Sequence, residues 1–241
     1  MEHLKNILFI DIETVSLVPQ FEELGQGLQS EWVRKSRFLK SNILEGAGPA
    51  ELFVEKAGIF SEFAKVVCIG FASFHKHGDE WKLRLKSITN NDEKELLRDF
   101  CEVVTKFTDY YSDLRFCGHN IKEFDIPFLC RRMLINGMSL PDCIQLSNKK
   151  PWEIPHIDTL ELWRFGDYKN FTALSLLAEV LGIPSPKDDL NGSMVGDVYW
   201  RENDLERIAK YCLQDVLTTA KVYLKLKGIF DVVAEPVFVT D

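Results

Sequence analysis

The chain has 241 residues, 46% of them hydrophobic and 27% charged, which excludes an intrinsically disordered or fibrous protein and suffices for a sizeable buried core. The formal net charge of −8 argues against a broad coat of lysine and arginine for non-specific binding to nucleic acid. The same charge is compatible with an enzyme whose carboxylates hold divalent metals, because bound metals supply the positive charge that meets phosphate.

The N-terminal residues and the cysteines indicate a cellular compartment. The apolar run before Asp11 is only four residues long, at positions 7–10, which is too short for a signal peptide. No later stretch approaches the ~20 apolar residues of a membrane-spanning helix. The six cysteines are dispersed, without a CxxC pair or zinc-ligand spacing, and we expect reduced thiols in apolar surroundings. We therefore expect a soluble, cytoplasmic protein that does not act at a membrane.

The first part of the chain predicts three strands and one insertion. Residues 6–13 form a β-branched and aromatic run that predicts a strand buried on both faces. Residues 66–74 and 81–89 predict two further strands joined by a glycine-containing turn at 76–80. The alternation of apolar and basic residues along 81–89 predicts one wet face, as at the edge of a sheet. Residues 18–64 form an insertion with helical rather than strand character.

The second part of the chain predicts alternating helices and strands. Apolar residues from Leu96 to Phe107 recur at three- and four-residue steps, which predicts a helix starting near Asp92. We further predict strands at 114–118 and 154–160, and helices at 126–137, at 172–182 with a hydroxyl N-cap and a glycine stop, and from Asn203 in capping-box fashion to Gly228. For the tail after Gly228, the sequence predicts no position in the fold. The order of elements predicts an α/β protein, a mixed sheet flanked by helices, in a single domain over residues 1–241.

Two carboxylates stand at the end of the first predicted strand. Asp11 and Glu13 are two positions apart, so on a strand their side chains project from the same face. The pattern Asp-x-Glu is common in a chain with 37 acidic residues, and a solvated strand end would explain it alone. The pair therefore needs support from elsewhere in the chain.

Two further polar pairs supply that support. Asn120 and Asp125 lie on a turn between a strand and a helix N-terminus, where Asp125 would also serve as an N-cap. Tyr211 and Asp215 are four positions apart on the final predicted helix, so they lie on one face of it, at the border of its apolar stripe. An exposed aspartate beside a half-buried tyrosine would be the alternative for the second pair.

Three short motifs thus follow one another along the chain: Asp11-x-Glu13, Asn120-x3-Phe124-Asp125 and Tyr211-x3-Asp215. In this order they resemble the exonuclease motifs of the DEDD-type, ribonuclease H-like 3′-5′ exonucleases. The resemblance is to the tyrosine subclass, found as the proofreading domain of B-family DNA polymerases and as stand-alone relatives, since the histidine subclass would carry His where this chain has Lys210. It extends roughly over residues 6–227 and implies a ribonuclease H-like mixed sheet flanked by helices, with a helical insertion after the first strand.

The resemblance also implies a reaction and roles for the acids. The reaction is hydrolysis of the terminal phosphodiester bond with two divalent metal ions, Mg²⁺ or Mn²⁺, which take oxygen ligands. Asp11 would contact both metals. Glu13 and Asp215 would hold the metal on the side of the nucleophile, and Asp125 would hold the other, partly through water. Tyr211 would orient the attacking water, because its phenol is both a donor and an acceptor but a weak base.

Residues for substrate binding are implied less distinctly. Thr14 and Leu17 would line the pocket for the terminal nucleotide, with Leu17 packing against the base. Asn120 and Phe124 match positions near the penultimate nucleotide. Ordinary loop and core positions would explain these four residues equally well.

The insertion contains the most positive stretch of the chain, residues 31–40. We hypothesise that it forms a flap that contacts single-stranded substrate through charge and stacking, with the following residues: Trp32, Arg34, Lys35, Arg37 and Lys40. A solvated amphipathic helix packed on the domain is the alternative.

The sequence therefore predicts a metal-dependent 3′-5′ exonuclease acting on the 3′ end of single-stranded nucleic acid, with DNA favoured over RNA by the resemblance alone. Because the 241 residues leave no room for a polymerase domain, we expect a polymerase or repair protein as a partner in trans. One alternative is a catalytically silent nucleic-acid-binding module on the same fold, although such a module should lack one or more of the acids. The other is an RNA-trimming exonuclease.

Overall fold

The computed structural model describes residues 2–78, 80–184, 190–232 and 236–239. The strands are β1 (Ile7–Ser16), β2 (Ala64–His77), β3 (Glu80–Thr89), β4 (Arg115–Gly118), β5 (Ile157–Asp158) and β6 (Pro236–Phe238). The α-helices are α1 (Gln26–Ser36), α2 (Pro49–Lys56), α3 (Glu93–Tyr110), α4 (Asp125–Ile135), α5 (Thr159–Arg164), α6 (Leu174–Val180), α7 (Val195–Asp197) and α8 (Leu205–Leu226).

The strands form one mixed sheet in the order β5-β4-β1-β2-β3-β6. The strand β1 lies inside it, antiparallel to β2 and parallel to β4. A hairpin turn at Gly78 joins β2 to β3, and the neighbouring Asp79 of the predicted turn lies outside the described residues. The predicted α/β class, with a mixed sheet flanked by helices, is confirmed.

Side chains of β1 alternate between the two faces of the sheet, and both faces are covered. Leu8 and Ile10 pack with residues of α3 and α4 on one face. Ile7 and Phe9 pack with α8 on the other. Because each face is buried by a helix, the strand is apolar without interruption up to Asp11, as its sequence predicts.

The insertion between β1 and β2 is helical, as predicted. Its helices α1 and α2 enclose a small core in which Trp32 and Phe53 are fully buried and meet edge to face, with ring centroids 5.3 Å apart. The insertion is joined to the sheet where Leu17 donates a backbone hydrogen bond to the carbonyl of Phe63 at 2.9 Å. It therefore lies beside the end of β1.

The expected edge position of β3 is wrong. Residues of the C-terminal tail, for which the sequence predicts no place, form β6 and pair in parallel with β3, with Leu83 opposite Pro236 and Leu85 opposite Phe238. The alternating pattern of β3 reflects one solvated face rather than a free edge.

Three predicted element boundaries also differ from the structure. The strand expected at 154–160 is only two residues long, because Asp158 accepts hydrogen bonds from the backbone of Leu160 and Glu161 and so begins α5. The expected hydroxyl cap of α6 is wrong, since the N-cap is Ala173 and makes no side-chain bond. The helix α8 is capped by Asp204, whose side chain accepts from the backbone of Arg207, instead of by a capping box.

The sequence predicts reduced cysteines and no membrane-spanning helix. All six cysteines are free, and Cys68, Cys117 and Cys212 are buried. In the part of the chain that the structure describes, no helix combines the length and the apolar character needed to cross a membrane.

His156 is a titratable side chain buried beside β4, only 3% exposed. Its Nδ1 accepts a hydrogen bond from the backbone N–H of Phe116 at 3.3 Å, which requires an unprotonated nitrogen at that position. Burial, the largest cause, lowers the pKa of His156 from 6.5 to about 4. The folded protein therefore holds this ring in its neutral form.

We predict that His156 makes the protein less stable in mild acid. The unfolded chain binds a proton near pH 6.5 and the folded chain only near pH 4, so the contribution of His156 is complete above pH 6.5 and is lost as pH falls. Between pH 7.5 and pH 4 the free energy of unfolding of the wild type should fall by about 3 kcal/mol relative to that of His156→Asn, measured by urea denaturation. Substitution of the exposed His77 by Gln should give no such difference, and equal slopes for wild type and His156→Asn would contradict the prediction.

Candidate active site

Asp11 and Glu13 project together from the face of β1 that α8 covers, as their spacing predicts. Asp11 is paired with Gly70 of β2 and Glu13 with Cys68. One oxygen of each carboxylate and the thiol sulfur of Cys212 all lie within 4.8 Å of one another. Asp11 is half-buried and Glu13 is buried, and the group lies between the sheet and α8.

A β-bulge ends the regular pairing immediately after the two acids. The register between β1 and β2 shifts between Glu13 and Thr14, so that β2 carries one extra residue at this point. Bulges of this kind bend and twist a strand locally. The bulge of β2 thus lies beside the position where the acids of β1 meet side chains of two helices.

Asp125 reaches the group from the opposite face of the sheet. It is the first residue of α4, only 3% exposed, and its carboxylate accepts a hydrogen bond from the backbone N–H of Ile12 at 3.2 Å. The N-cap of α4 is Phe124 and Asp125 is the first helical residue, so the alternative role of Asp125 as the N-cap is wrong. Asp125 instead connects α4 to β1 between the two other acids.

The turn before Asp125 is held by a residue that the sequence analysis missed. Asn120 has a φ of 63°, a left-handed conformation that asparagine tolerates better than most residues. The carboxylate of Asp158 accepts hydrogen bonds from the backbone of Asn120 at 3.0 Å and of Lys122 at 3.2 Å. The signal that could have found it is Asp158-x-x-Glu161, an N-cap pattern at the start of α5.

Tyr211 and Asp215 lie on α8 opposite the acids of β1. The Tyr211 hydroxyl is hydrogen-bonded to Asp215, and the charge of Asp215 acts on both Asp11 and Glu13.

The close approach of α8 to β2 depends on Gly70, since a Cβ there would lie 2.8 Å from the Cys212 sulfur and 2.9 Å from a methyl of Val216. Gly70 and Cys212 were both missed as site residues, because only the folded structure shows what faces them.

The electrostatics of the group reflect buried, mutually repelling carboxylates. Burial raises the pKa of Asp11 well above its usual value, and Glu13, Asp125 and Asp215 raise it further. Burial is also the largest cause that raises the pKa of Glu13, and it raises the pKa of Asp125 to about 7. The pKa of Tyr211 is raised by burial and then by the charge of Asp215. The structure therefore brings together all five residues to which the sequence analysis assigns a catalytic role.

These residues fit a divalent metal site. Glu13 is 7% exposed, and within the described ranges no hydrogen bond to its carboxylate is present. Burial raises the pKa of the Cys212 thiol well above its usual value, which keeps the thiol protonated. The other donors converging here are carboxylate oxygens, which hard cations such as Mg²⁺ and Mn²⁺ prefer. A bound cation would offset the repulsion that raises these pKa values, so the donor set matches the chemistry of the metal that the resemblance implies.

Thr14 and Leu17, the two residues near β1 that are expected to bind substrate, both contact the insertion through their side chains. The Thr14 hydroxyl donates to the carbonyl of Gly58 in the insertion at 2.7 Å. Leu17 is half-buried and packs against the core of the insertion. These contacts fasten the insertion to the strand that carries Asp11 and Glu13, and the proposed contacts of Thr14 and Leu17 with a nucleotide stay predictions.

Phe124 and Asn120 lie on the turn that leads to Asp125, and both are partly exposed. The ring of Phe124 packs on that of Phe128, with centroids 5.4 Å apart. Both residues thus lie on the turn that leads to Asp125, and their contacts with nucleotides stay predictions.

The hypothesised flap is wrong in one respect. Trp32 is fully buried in the core of the insertion and donates its indole N–H to the carbonyl of Pro49 at 2.7 Å, so its ring is closed to bases. Lys35 lies over the ring of Phe60, 4.1 Å from its centroid. The remaining cations of the hypothesised flap are exposed, and they are Arg34, Arg37 and Lys40.

Comparisons with known proteins bear on the family and the fold of the chain. A family model described as "Predicted 3'-5' exonuclease related to the exonuclease domain of PolB" matches residues 59–238. The family B DNA polymerase of the hyperthermophilic archaeon Pyrobaculum calidifontis has a similar fold, with a TM-score of 0.57 and 17% sequence identity. That similarity covers 92% of this chain and 24% of the polymerase chain. The comparison with curated proteins gave no match.

We predict that Asp11→Asn stabilises the metal-free protein and removes its response to metal. The amide lacks the charge that repels the neighbouring carboxylates, so the melting temperature in EDTA should rise by a few degrees, where 1 kcal/mol corresponds to about 2–4 °C for a chain of this size. Mn²⁺ should raise the melting temperature of the wild type and leave that of Asp11→Asn unchanged.

Calorimetry at pH 8 with and without Mn²⁺ measures both effects of Asp11→Asn. Asp109→Asn removes an exposed charge from α3 and should behave as the wild type. An undiminished response of Asp11→Asn to Mn²⁺ would place the metal elsewhere.

We also predict that Gly70→Ala weakens the site by displacing α8. The added methyl would overlap with Cys212 and Val216, an overpacking that costs about 1–3 kcal/mol. The free energy of unfolding in urea should fall by that amount, and the stabilisation by Mn²⁺ should shrink. Gly27→Ala, where a Cβ meets nothing within 4 Å, is the matched control. A normal response of Gly70→Ala to Mn²⁺ would show that the approach of α8 is not critical.

Proposed function

The chain belongs to the family of predicted 3′-5′ exonucleases related to the exonuclease domain of PolB, and we propose that it hydrolyses the terminal phosphodiester bond at the 3′ end of single-stranded nucleic acid. We propose DNA as the preferred substrate, a preference that rests on the resemblance of its motifs to proofreading exonucleases.

The convergence of the acids is the observation that carries this proposal. Asp125 and Asp215 lie within the residues that the family model matches, whereas Asp11 and Glu13 precede them. In the fold, Asp125 and Asp215 lie close enough to raise the pKa of both acids of β1. Four carboxylates from three separate elements repel one another, which lowers the stability of the fold. A purely structural role would not explain why the fold holds them together.

The four carboxylates would hold two divalent cations, Mg²⁺ or Mn²⁺. Such cations supply Lewis acidity, which lowers the pKa of water and stabilises negative charge on the departing 3′ oxygen. The protein contributes a rigid arrangement of ligands, since Asp11 and Glu13 stand on a strand buried on both faces. Asp125 is fixed relative to that strand by the hydrogen bond from Ile12.

Tyr211 would position the attacking water. Its hydroxyl donates to Asp215, which leaves the phenolic oxygen able to accept a hydrogen bond from water in the cleft. A phenol keeps its proton at neutral pH, so this role is one of orientation rather than proton removal.

The partners and the location of the protein stay predictions of its sequence. A polymerase or repair protein acting in trans is the expected partner, and the cytoplasm is the expected compartment. The Pyrobaculum polymerase indicates that this fold also occurs as one quarter of a larger chain.

We predict stepwise shortening of a 5′-labelled single strand in the presence of Mg²⁺ or Mn²⁺, with no cleavage in EDTA. Denaturing gels would show a ladder of products that decreases from the 3′ end, and Asp11→Asn should abolish it. Parallel DNA and RNA strands of one sequence test the substrate preference. Binding without any cleavage on both strands would overturn the proposed activity.

We predict that Tyr211→Phe lowers kcat and leaves metal binding intact. The variant keeps the ring but loses the hydroxyl that orients water, and misplacement of a reacting group can cost about 100-fold in rate. The stabilisation by Mn²⁺ should equal that of the wild type, because the carboxylates are unchanged. Tyr110→Phe, on the exposed side of α3, is the control. An unchanged kcat in Tyr211→Phe would exclude the proposed role.

A further inference from the structure

A loop between α5 and α6 presents three aromatic rings to solvent. Phe165, Tyr168 and Phe171 are 88%, 74% and 65% exposed, respectively. We call residues 165–171 the aromatic loop. Large aromatic side chains gain most from burial, so three exposed rings within seven residues indicate a surface that is covered when a partner binds.

Both ends of the aromatic loop are fastened to the turn that carries Asp125. At its start, Arg164 forms an ion pair with Glu123 at 3.6 Å. At its end, His119 lies 6.3 Å from the ring of Phe171 and is hydrogen-bonded through Nε2 to the carbonyl of Thr172 at 2.8 Å. The loop therefore adjoins the candidate active site through residues 119–123.

The backbone of the loop holds the rings outward. Phe165 has a φ of 45° and Gly166 a φ of 92°, and a left-handed conformation is unusual for a bulky residue. The carboxylate of Asp167 accepts hydrogen bonds from the backbone of Lys169 at 3.1 Å and from the side chain of Asn170 at 2.9 Å. Local hydrogen bonds thus stabilise the backbone conformation of the loop in which the rings are exposed.

The loop also places cations among the rings. The guanidinium of Arg164 lies 6.0 Å from the centroid of the Tyr168 ring, and Lys169 is the adjacent exposed residue. Aromatic rings interleaved with arginine and lysine are typical of surfaces that bind single-stranded nucleic acid, where each stacked base contributes about 1–3 kcal/mol. In a protein of net charge −8, stacking can supply affinity that a broad basic surface does not.

We propose that the aromatic loop is a stacking platform for the bases of a single strand whose 3′ end lies at the acids. This inference rests on the proposed exonuclease function and names the surface that would hold the strand upstream of the cleaved bond. It takes the stacking role that the buried Trp32 of the hypothesised flap cannot have.

The first test is binding to a 5′-fluorescein-labelled ten-nucleotide DNA strand, measured by anisotropy in the Asp11→Asn background so that the strand is not cleaved. Replacing the three rings together by Ala, and in a second variant by Leu, should each raise Kd at least tenfold. The Leu variant keeps apolar volume but lacks a π face, so a loss in both variants identifies stacking. Calorimetry establishes that each variant is folded.

A matched control replaces three rings that are equally exposed but lie elsewhere on the protein. Tyr110, Trp152 and Phe230 are 84%, 77% and 71% exposed. Their replacement by Ala should leave Kd unchanged. An equal loss of affinity in this control would overturn the proposal, because the effect would then be one of general surface hydrophobicity.

The second test separates the platform from the active site itself. In the protein with an intact Asp11, the loop variants should lower kcat/KM on ten-nucleotide strands through KM. They should leave kcat/KM on a dinucleotide unchanged, because the proposed platform holds bases upstream of the two nucleotides that flank the cleaved bond. Equal losses on both substrates would show that the loop only supports the turn of Asp125, and would overturn the proposal.

The two proposals fail in different ways. Unchanged Kd and KM in loop variants of an active protein would refute the platform and leave the exonuclease function standing. A wild-type protein that neither binds nor cleaves single strands would refute both, and the aromatic loop would then be a contact surface for another class of partner.

Discussion

Mutual repulsion among Asp11, Glu13, Asp125 and Asp215 is the constraint on which the rest of the structure depends. Burial and neighbouring charge raise the pKa of the acids on β1, so their proximity costs free energy that other contacts must offset. The offset comes from the apolar residues of β1, which are buried against helices on both faces of the sheet. The hydrophobic core around β1 thus supports the candidate active site.

Much of the site could be predicted because its members sit on regular elements. The period of two on a strand places Asp11 beside Glu13, and the spacing of four on a helix places Tyr211 beside Asp215. The parts that could not be predicted depend on contacts between distant segments. Nothing near Gly70 in sequence indicates that α8 needs a residue without a side chain there.

The fold shows the same division between local and distant information. The periodicity of the apolar residues predicts β1 and α3, but it does not predict that residues 236–238 of the tail pair with β3. Burial of Trp32 and exposure of Phe165 are likewise set by which segments pack together. Both are aromatic residues within two positions of an arginine in the sequence, and only their packing distinguishes a core residue from a candidate contact with substrate.

The closeness of Cys212 to Asp11 has a consequence for how the protein reaches its native state. These residues touch although they are 201 positions apart, so the acid group cannot exist until nearly the whole chain has closed on itself. Contacts of such high sequence separation form slowly, because the entropy of closing a long loop is lost before the contact can compensate it. The proposed metal affinity would therefore be a property of the completed topology, and a folding intermediate in which α8 is not docked would not bind the cation.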